Sequence, residues 1–315
     1  MEYIISILLS GISVGGQYAL IAIGYTMVYG ILRLINFAHG DVFMVAGLMG
    51  IYLSDFIKTI LVDVLEGTEY LVWAESASVI LAIPLVIGLT AVLAFVIERV
   101  AYRPLRSAPR MSVMISAIGV SYLLQNTATY VTGGQPMTYP ETPALSDTLE
   151  IAGTPTKWAV LLTPVLVIVL VFALTRLINR TKVGMAMRAV SKDFETAQLM
   201  GIKINTVISI TFVIGSVLAA VGSVLYFTNY TSVVPTIGAL PGLKAFVAAV
   251  FGGIGSIPGA VIGAFIIGIC ETIVKGLPAE WDVSIFSDAV TFAILIFVLV
   301  FKPTGLFGEK ATDKV

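Results

Sequence analysis

The sequence is short of charge: only 12% of its 315 residues are Asp, Glu, Lys or Arg, while 58% are hydrophobic. Soluble domains carry roughly 25% charged residues. A water-soluble globule of this length would therefore lack the polar side chains needed to cover its surface. The deficit excludes a soluble protein and indicates that lipid is the solvent.

Reactive and metal-binding side chains are also scarce. The chain has one histidine, His39, and one cysteine, Cys270, which excludes an intramolecular disulfide and a His/Cys metal site. No G-x-x-x-x-G-K-[ST] motif occurs, so the chain is not itself a P-loop ATPase. No cluster of His, Cys, Asp and Glu of the kind that catalysis needs is visible. We therefore expect a chain that is not an enzyme and that binds no cofactor.

Long apolar runs take the place of the missing charge, and a membrane-spanning helix needs roughly 20 such residues. Six runs contain no ionisable residue: Tyr3–Leu32, Ser78–Ile97, Met111–Val131, Trp158–Thr175, Thr206–Tyr230 and Ala245–Cys270. Two more, Asn36–Ser54 and Val283–Phe301, carry ionisable residues near one end. The first run is too long for a cleavable signal core and no basic segment precedes it, so it is expected to be retained. We predict an all-α, polytopic helical bundle with about nine membrane passes (8 to 10), forming a single transmembrane domain over residues 1–315.

The positive charges lie in alternate connections, and this bias sets membrane topology. Fourteen of the eighteen basic residues belong to one set: Arg33, Arg99, Arg103, Arg106, Arg110, Arg176, Arg180, Lys182, Arg188, Lys192, Lys203, Lys302, Lys310 and Lys314. The other set is acidic and comprises Asp55–Glu75, Thr132–Lys157 and the turn with Glu280, Asp282 and Asp288. We predict that the basic set is cytoplasmic, which places the N-terminus outside and the C-terminus inside.

This topology requires the run Ala245–Cys270 to enter the membrane and return. Its centre is interrupted by small residues and a proline, among them Gly252, Gly253, Gly255, Ser256 and Gly259. Irregular backbone is tolerated in lipid only where protein or a cavity surrounds it, and broken helices build many transporter sites. We predict a broken helix here, although close helix packing by glycines, as in the pairs Gly11/Gly15 and Gly259/Gly263, is an equally good explanation.

A second polar segment follows the first apolar run. Asn36, His39, Gly40 and Asp41 lie within six residues, and ionisable groups at membrane depth usually face a bundle interior or a watery cavity. One interpretation is that they cap or pack a helix at the headgroup level. The other is that they form part of a transport pathway or its gate.

The basic connection 176–205 contains the pattern of a short cytoplasmic helix. Ser191 is predicted to be its N-cap, Asp193 and Glu195 stand where the helix dipole favours acids, and Gly201 is a good terminator. We expect about two to three turns.

One face of that helix would be apolar, because Phe194, Ala197 and Met200 are spaced three residues apart. The helix either packs on its own bundle or inserts into a groove of a partner protein.

The chain resembles the permease subunits of high-affinity branched-chain amino acid ABC importers. Four segments carry the resemblance: Ile35-Asn36-Phe37-Ala38-His39-Gly40-Asp41, Glu195-x-Ala197-x-x-x-Gly201, Gly252-Gly253-x-Gly255-Ser256-x-x-Gly259-Ala260 and Lys302-Pro303-Thr304-Gly305-Leu306-Phe307-Gly308. The second departs from the family's loop, since Thr196 stands in place of Ala and the trailing Leu-Pro is missing.

The resemblance implies the shorter of two permeases in the cytoplasmic (inner) membrane of a bacterium. Its partners would be a second permease in a heterodimer, two cytosolic ATP-binding subunits and an extracytoplasmic substrate-binding protein, with no nucleic acid. The loop that docks the ATPase would contain Arg188, Asp193, Phe194, Glu195, Ala197 and Gly201. The cargo would be branched-chain or related aliphatic amino acids, imported into the cytoplasm.

Two alternatives remain open. Permeases for urea or short-chain amides belong to the same family, and nothing in the sequence separates these substrates. A self-sufficient secondary transporter or channel would instead need acidic residues in mid-span. Its only candidates are Asp41, Glu271 and Asp288, all near the ends of the predicted spans.

Overall fold

A computed structural model describes residues 2–66, 73–106, 108–143, 145–151, 153–278 and 283–308. Several residues used above lie outside these ranges: positions 67–72 of the acidic connection, Glu280 and Asp282 of the predicted outer turn, and Lys310 and Lys314 of the predicted cytoplasmic tail.

Helices account for most of the described chain. They are α1 (Glu2–Leu32), α2 (His39–Leu65), α3 (Ala74–Ile97), α4 (Arg110–Thr132), α5 (Trp158–Arg180), α6 (Lys182–Lys192), α7 (Phe194–Leu199), α8 (Ile204–Asn229), α9 (Ala239–Gly252), α10 (Ile257–Lys275) and α11 (Ser287–Phe301). A π turn, Glu98–Tyr102, and a 3-10 turn, Arg103–Leu105, extend α3.

Seven helical segments of the described chain are long and apolar enough to cross a membrane: Tyr3–Leu32, His39–Leu65, Ala74–Leu105, Trp158–Arg180, Ile204–Asn229, Ile257–Lys275 and Ser284–Phe301. The helix α9 is apolar but shorter, and α4 has 23 residues with many hydroxyl and amide side chains. The protein is thus a mostly helical, polytopic membrane protein.

The expectation of an all-α chain was too strict, because four short strands occur in the connections. Strand β1 (Met137–Thr138) pairs antiparallel with β4 (Ser232–Val233), and β2 (Thr148–Ile151) pairs with β3 (Thr154–Lys157). Backbone groups outside the helices still need hydrogen-bond partners. Neighbouring connections supply them here by pairing with each other.

The core forms around α1, which packs along α10, α8, α9 and α5. Glycines allow the closest approach: a Cβ on Gly15 would lie 2.7 Å from the Cα of Phe265, and one on Gly11 would lie 2.9 Å from the Cα of Ile269. Small residues permit such backbone proximity between membrane helices. The predicted packing role of the Gly11/Gly15 pair is therefore confirmed.

The connections between helices lie at two opposite ends of the bundle. At one end, Gly253 contacts Gly308, Gly30 faces Gly255, and Arg106 donates to Asn205 over 2.5 Å. At the other end, Tyr139 N donates to the carbonyl of Thr231, Lys157 Nζ to the carbonyl of Thr228, and Lys58 pairs with Glu75. The basic connections meet at the first end and the acidic connections at the second, as the charge pattern suggests.

Candidate functional site

The polar segment after α1 lies inside the bundle. The helix α1 ends at Leu32, Arg33 takes a left-handed conformation (φ 55°), and α2 begins at His39. The imidazole of His39 faces Gly24, where a Cβ would lie 2.1 Å from Nε2. Gly24 stands eight residues before Leu32, so the ring is about 12 Å from that end of α1. We call Asn36, His39, Gly40 and Asp41 the junction cluster.

Two polar members of the junction cluster, Asn36 and Asp41, bond to other parts of the bundle. Asn36 Oδ1 accepts from Tyr102 Oη over 2.5 Å. The carboxylate of Asp41 accepts from Ser121 Oγ over 2.5 Å and from Gln125 Nε2 over 3.0 Å. Both residues are buried. Asp41 thereby ties α2 to the middle of α4, the least apolar of the long helices.

Gly40 places the start of α2 against the start of α9. A Cβ at Gly40 would lie 2.5 Å from the carbonyl oxygen of Gly238 and 2.8 Å from the Cα of Gly242. His39 meanwhile packs edge-on against Tyr25, with ring centroids 5.1 Å apart, and lies next to Gly215 of α8. The cluster is the point where α1, α2, α4, α8, α9 and the π turn after α3 converge.

These contacts favour an internal role over a headgroup-level cap. Ala38 is the N-cap of α2, and no side chain caps that helix end. The side chains of Asn36 and Asp41 instead satisfy groups on other helices. A rearrangement of this cluster would therefore move several helices at once, which is what a gate requires.

The predicted broken segment is present between α9 and α10. Gly253 (φ 110°) and Gly255 (φ 100°) adopt backbone conformations that residues with a Cβ rarely take. Ser256 caps α10 by accepting from the backbone N–H of Gly259 over 3.2 Å. Gly252 and Gly259 lie so close that a Cβ on Gly252 would meet the carbonyl oxygen of Gly259 at 1.9 Å.

The C-terminal motif completes this break. The N–H groups of Leu306 and Phe307 donate to the carbonyls of Phe251 and Gly252, each over 2.9 Å. The last carbonyls of a helix have no partner within it, so residues 305–308 satisfy the end of α9. Two motifs that are 50 residues apart in the sequence thus form one structure.

The basic connection 176–205, which we call the coupling segment, differs from the predicted single helix. Ser191 lies inside α6, where its Oγ donates to the carbonyl of Arg188, and it is not an N-cap. Asp193 is the N-cap of α7, because its Oδ1 accepts from the N–H groups of Glu195 and Thr196 over 3.0 and 3.1 Å. Gly201 (φ 82°) follows the end of α7 as predicted.

The predicted apolar strip is also only partly correct. Ala197 is buried against the bundle, at 4% exposure. Leu199 and Met200 are 87% and 79% exposed, and Phe194 is 37% exposed. Arg188 folds back to donate to the carbonyl of Ile178 and, over 3.2 Å, to Asn179 Oδ1. The free apolar surface is therefore the tip of α7.

Sequence reasoning missed a set of paired charges around the buried side chains of Lys244 and Glu271. Lys244 Nζ lies 2.8 Å from Glu271 Oε1 and 2.6 Å from Asp288 Oδ1. Lys275 Nζ lies 2.5 Å from Glu271 Oε1, and Tyr18 Oη donates to Glu271 Oε2 over 2.9 Å. We call these five residues the charge network. It joins α1, α9, α10 and the start of α11.

A signal for this network was present in the sequence. Lys244 stands immediately before the charge-free run Ala245–Cys270, and Glu271 stands immediately after it. If the run enters and returns, both flanks lie at the same end and their opposite charges can pair.

The junction cluster contacts the start of α9, and the broken segment follows the end of that helix, about 20 Å further along. Within the ranges described, no group of three or more His, Cys, Asp or Glu side chains could hold a metal ion. Buried polar groups shared among many helices, irregular backbone inside the bundle and an exposed helical tip at one end define the membrane subunit of a transport system.

Comparison with known proteins gives the family. The sequence model of the family described as "Branched-chain amino acid transport system / permease component" matches residues 7–299. The chain belongs to this family, which confirms the predicted resemblance and the prediction of a permease rather than an ATPase.

Curated relatives match over nearly the whole length. The chain is 40% identical to the high-affinity branched-chain amino acid transport system permease protein BraD of Pseudomonas aeruginosa, covering 98% of this chain and 97% of the relative. It is 40% and 39% identical to the LivH permease proteins of Salmonella typhimurium and Escherichia coli, with 99% of this chain and 98% of each relative covered. No solved structure matches the chain.

Proposed function

We propose that this chain is one of two different permease subunits in an ATP-driven importer that carries branched-chain amino acids into the cytoplasm. The observation that carries the proposal is the match at 40% identity, over almost the full length of both chains, to permeases of high-affinity branched-chain amino acid transport systems. The junction cluster and the broken segment support it, because broken helices and buried polar groups are common features of transport pathways.

The remaining subunits follow from the class of system. A second permease completes the pathway, two cytosolic ATP-binding subunits supply the energy, and an extracytoplasmic binding protein delivers the amino acid. The chain itself binds no cofactor and no nucleic acid. The exposed tip of α7, with Phe194, Leu199 and Met200, is the surface that inserts into an ATP-binding subunit, in the groove-binding manner of amphipathic helices.

In the proposed topology the chain makes about nine passes. These are the seven long apolar segments, the polar helix α4 and the short helix α9. The acidic end of the bundle faces outward and the basic end faces the cytoplasm, in the cytoplasmic membrane of a bacterium. Both α6 and α7 then lie in the cytosol.

The mechanism is a shift between outward-open and inward-open states. ATP binding draws the two ATP-binding subunits together and moves α6 and α7, and the junction cluster transmits the movement to α2, α4 and α9. Nucleotide can shift this equilibrium only by its different affinity for the two states. The binding protein supplies most of the selectivity, so the pathway needs no dense polar site.

Uptake measurements test the cargo. Cells in which this gene is deleted should lose high-affinity uptake of labelled leucine, isoleucine and valine, and the intact gene should restore it. Uptake of urea and of a short-chain amide should be unchanged. Loss of urea or amide uptake with normal leucine uptake would show that the cargo is wrong while leaving the permease assignment intact.

Labelling tests the gate. In a Cys270→Ser background, a cysteine introduced by His39→Cys should react with a water-soluble maleimide at a rate that changes when ATP is added to the assembled complex. A rate that is the same with and without ATP would contradict a gating role for the junction cluster.

A further inference from the structure

A basic groove lies between the end of α3 and the start of α8. It encloses about 990 Å³. Its polar rim carries four cationic side chains, Arg99, Arg103, Arg106 and Lys203. Residues Phe194, Gln198 and Gly201 of the coupling segment form a further part of the wall.

The positive charge of this groove is largely uncompensated. The buried carboxylate of Glu98 pairs with Arg106 and accepts from Ser209 Oγ over 2.6 Å. This ion pair neutralises the charge of Arg106, which also donates to Asn205. For Arg99, Arg103 and Lys203, no carboxylate within ion-pair distance is found in the part of the chain that the structure describes. Three cations therefore face the groove without an anion.

The groove is polar at its rim and apolar deeper in the bundle. Phe95 lies one helical turn before Arg99 on α3, and Ile210 and Val213 follow Asn205 along α8, towards the centre of the bundle. Eight residues separate Asn205 from Val213, which is about 12 Å along a helix. Because α3 and α8 are membrane-spanning helices, this apolar part lies at the depth of acyl chains.

We propose that the groove binds an anionic phospholipid, with its phosphate on Arg99, Arg103 and Lys203 and an acyl chain along Phe95, Ile210 and Val213. The order of the lining, cationic at the membrane surface and apolar within, matches the order of groups in that ligand. Basic pockets between membrane helices on the cytoplasmic side suit anionic headgroups. A soluble protein surface would not complement the deep apolar part, and free phosphate would leave that part empty.

The site has a consequence for transport. Since the coupling segment forms part of the wall, a bound lipid stabilises the position of α7 against the bundle. Anionic lipid would then favour association with the ATP-binding subunits, because Phe194 belongs both to the wall of the groove and to the exposed tip of α7.

The test uses the assembled complex, purified in detergent and returned to vesicles of phosphatidylcholine with or without phosphatidylglycerol. Native mass spectrometry counts the lipids that the permease retains. The triple variant Arg99→Gln, Arg103→Gln, Lys203→Gln should bind phosphatidylglycerol about 100-fold more weakly, since each basic side chain near an anionic surface contributes about fivefold in affinity. Added salt should weaken binding to the unaltered chain.

Two control variants keep the test decisive. Arg176→Gln, Arg180→Gln, Lys182→Gln removes the same charge from the same end of the bundle outside the groove, and should retain the lipid. Arg99→Lys, Arg103→Lys, Lys203→Arg preserves the charge and should also retain it. If the Gln variant of the groove does not fold, Ile210→Trp, which fills the apolar part, should reduce retention instead.

Four results would overturn the proposal. These are equal retention of phosphatidylglycerol by the groove variant and the control variant, equal retention of phosphatidylcholine and phosphatidylglycerol, displacement of the lipid by inorganic phosphate alone, and loss of the ATP-binding subunits with unchanged lipid retention. The last would identify the groove as a protein interface. None of these four results would change the outcome of the uptake test, so the lipid site and the proposed function can fail independently.

Discussion

The charge network contains the buried charges of Lys244 and Glu271, and the junction cluster contains the buried carboxylate of Asp41. These buried groups have different kinds of partner. In the charge network, the carboxylate of Glu271 meets two lysines, and Lys244 meets two carboxylates. In the junction cluster, the carboxylate of Asp41 accepts from the neutral donors Ser121 and Gln125. Removing one partner of a buried ion pair costs about 3–5 kcal/mol, whereas a hydrogen bond from a neutral donor to a charged group is worth about 1.5–3 kcal/mol.

This difference separates two roles. The charge network joins α1, α9, α10 and α11. The junction cluster joins α2 to α4 and α9, and we propose that its contacts are remade during transport. We therefore expect changes in the charge network to act mainly on folding stability and changes in the junction cluster to act mainly on transport.

The largest expected effect comes from Lys244→Met. It removes the buried cation that Glu271 and Asp288 share. Breaking a buried ion pair costs about 3–5 kcal/mol, and the loss should lie near the lower end of that range because Lys275 and Tyr18 still contact Glu271. Thermal unfolding of the purified chain in detergent measures the loss. The double variant Lys244→Met, Glu271→Gln removes one charge of each sign and should recover most of it.

The matched control is Lys58→Met. Lys58 and Glu75 also form an ion pair, at 2.8 Å, but both side chains are exposed, at 43% and 71%. Such pairs are worth about 0–1 kcal/mol. Equal losses for Lys58→Met and Lys244→Met would contradict the distinction between buried and exposed pairs.

The next effect is steric. Gly40→Ala would push a Cβ into the backbone of Gly238 and Gly242 and force α2 and α9 apart. Overpacking of this kind costs about 1–3 kcal/mol, and transport should fall more steeply than stability, because the contact lies in the junction cluster. Gly119→Ala in α4 is the control, since no atom lies within 4 Å of its Cβ position. Full uptake by Gly40→Ala would show that this contact is not part of the moving structure.

A loss of stability of about the same size is expected for Asp41→Asn. The new side chain keeps the shape but offers one acceptor oxygen instead of two, and hydrogen bonds to a charged group are worth about 1.5–3 kcal/mol. Leucine uptake by the assembled complex should fall by a larger factor than the population of folded protein. An equal fall in uptake and in the population of folded protein would show that Asp41 acts on folding stability, like the charge network.

The smallest effect on stability comes from the exposed tip. The double variant Phe194→Asp, Glu195→Lys should change the free energy of unfolding by no more than about 0.5 kcal/mol, yet abolish copurification of the ATP-binding subunits. Arg180→Gln, at the end of α5, serves as the control and should copurify normally. Normal association in the double variant would exclude α7 as the docking element.

Much of the fold could be predicted from hydropathy and glycine placement, because a bilayer imposes long apolar helices and allows irregular backbone only inside the bundle. The break at Gly253–Ser256 followed from this reasoning. The contacts of His39 with Gly24 and Gly215 could not be predicted in this way. These residues are far apart in the sequence, and no local sequence pattern indicates that they pack together.

The errors have physical causes. Ser191 and Asp193 are both good N-caps, but continuing α6 through Lys192 gains backbone hydrogen bonds, and Asp193 then accepts from two N–H groups of α7. Lys244 was overlooked because it stands just outside the charge-free run Ala245–Cys270. In the structure its aliphatic stem is buried and its charge is matched.

The most direct test of the proposed function is leucine uptake into vesicles that contain the purified complex. The binding protein is added on the side that the acidic end of the bundle faces, and ATP is supplied on the side of the ATP-binding subunits. We predict uptake that requires ATP and all of the subunits and is lost in the Phe194→Asp, Glu195→Lys variant. Uptake by this chain alone, driven by an ion gradient without ATP, would contradict the account and identify a secondary transporter instead.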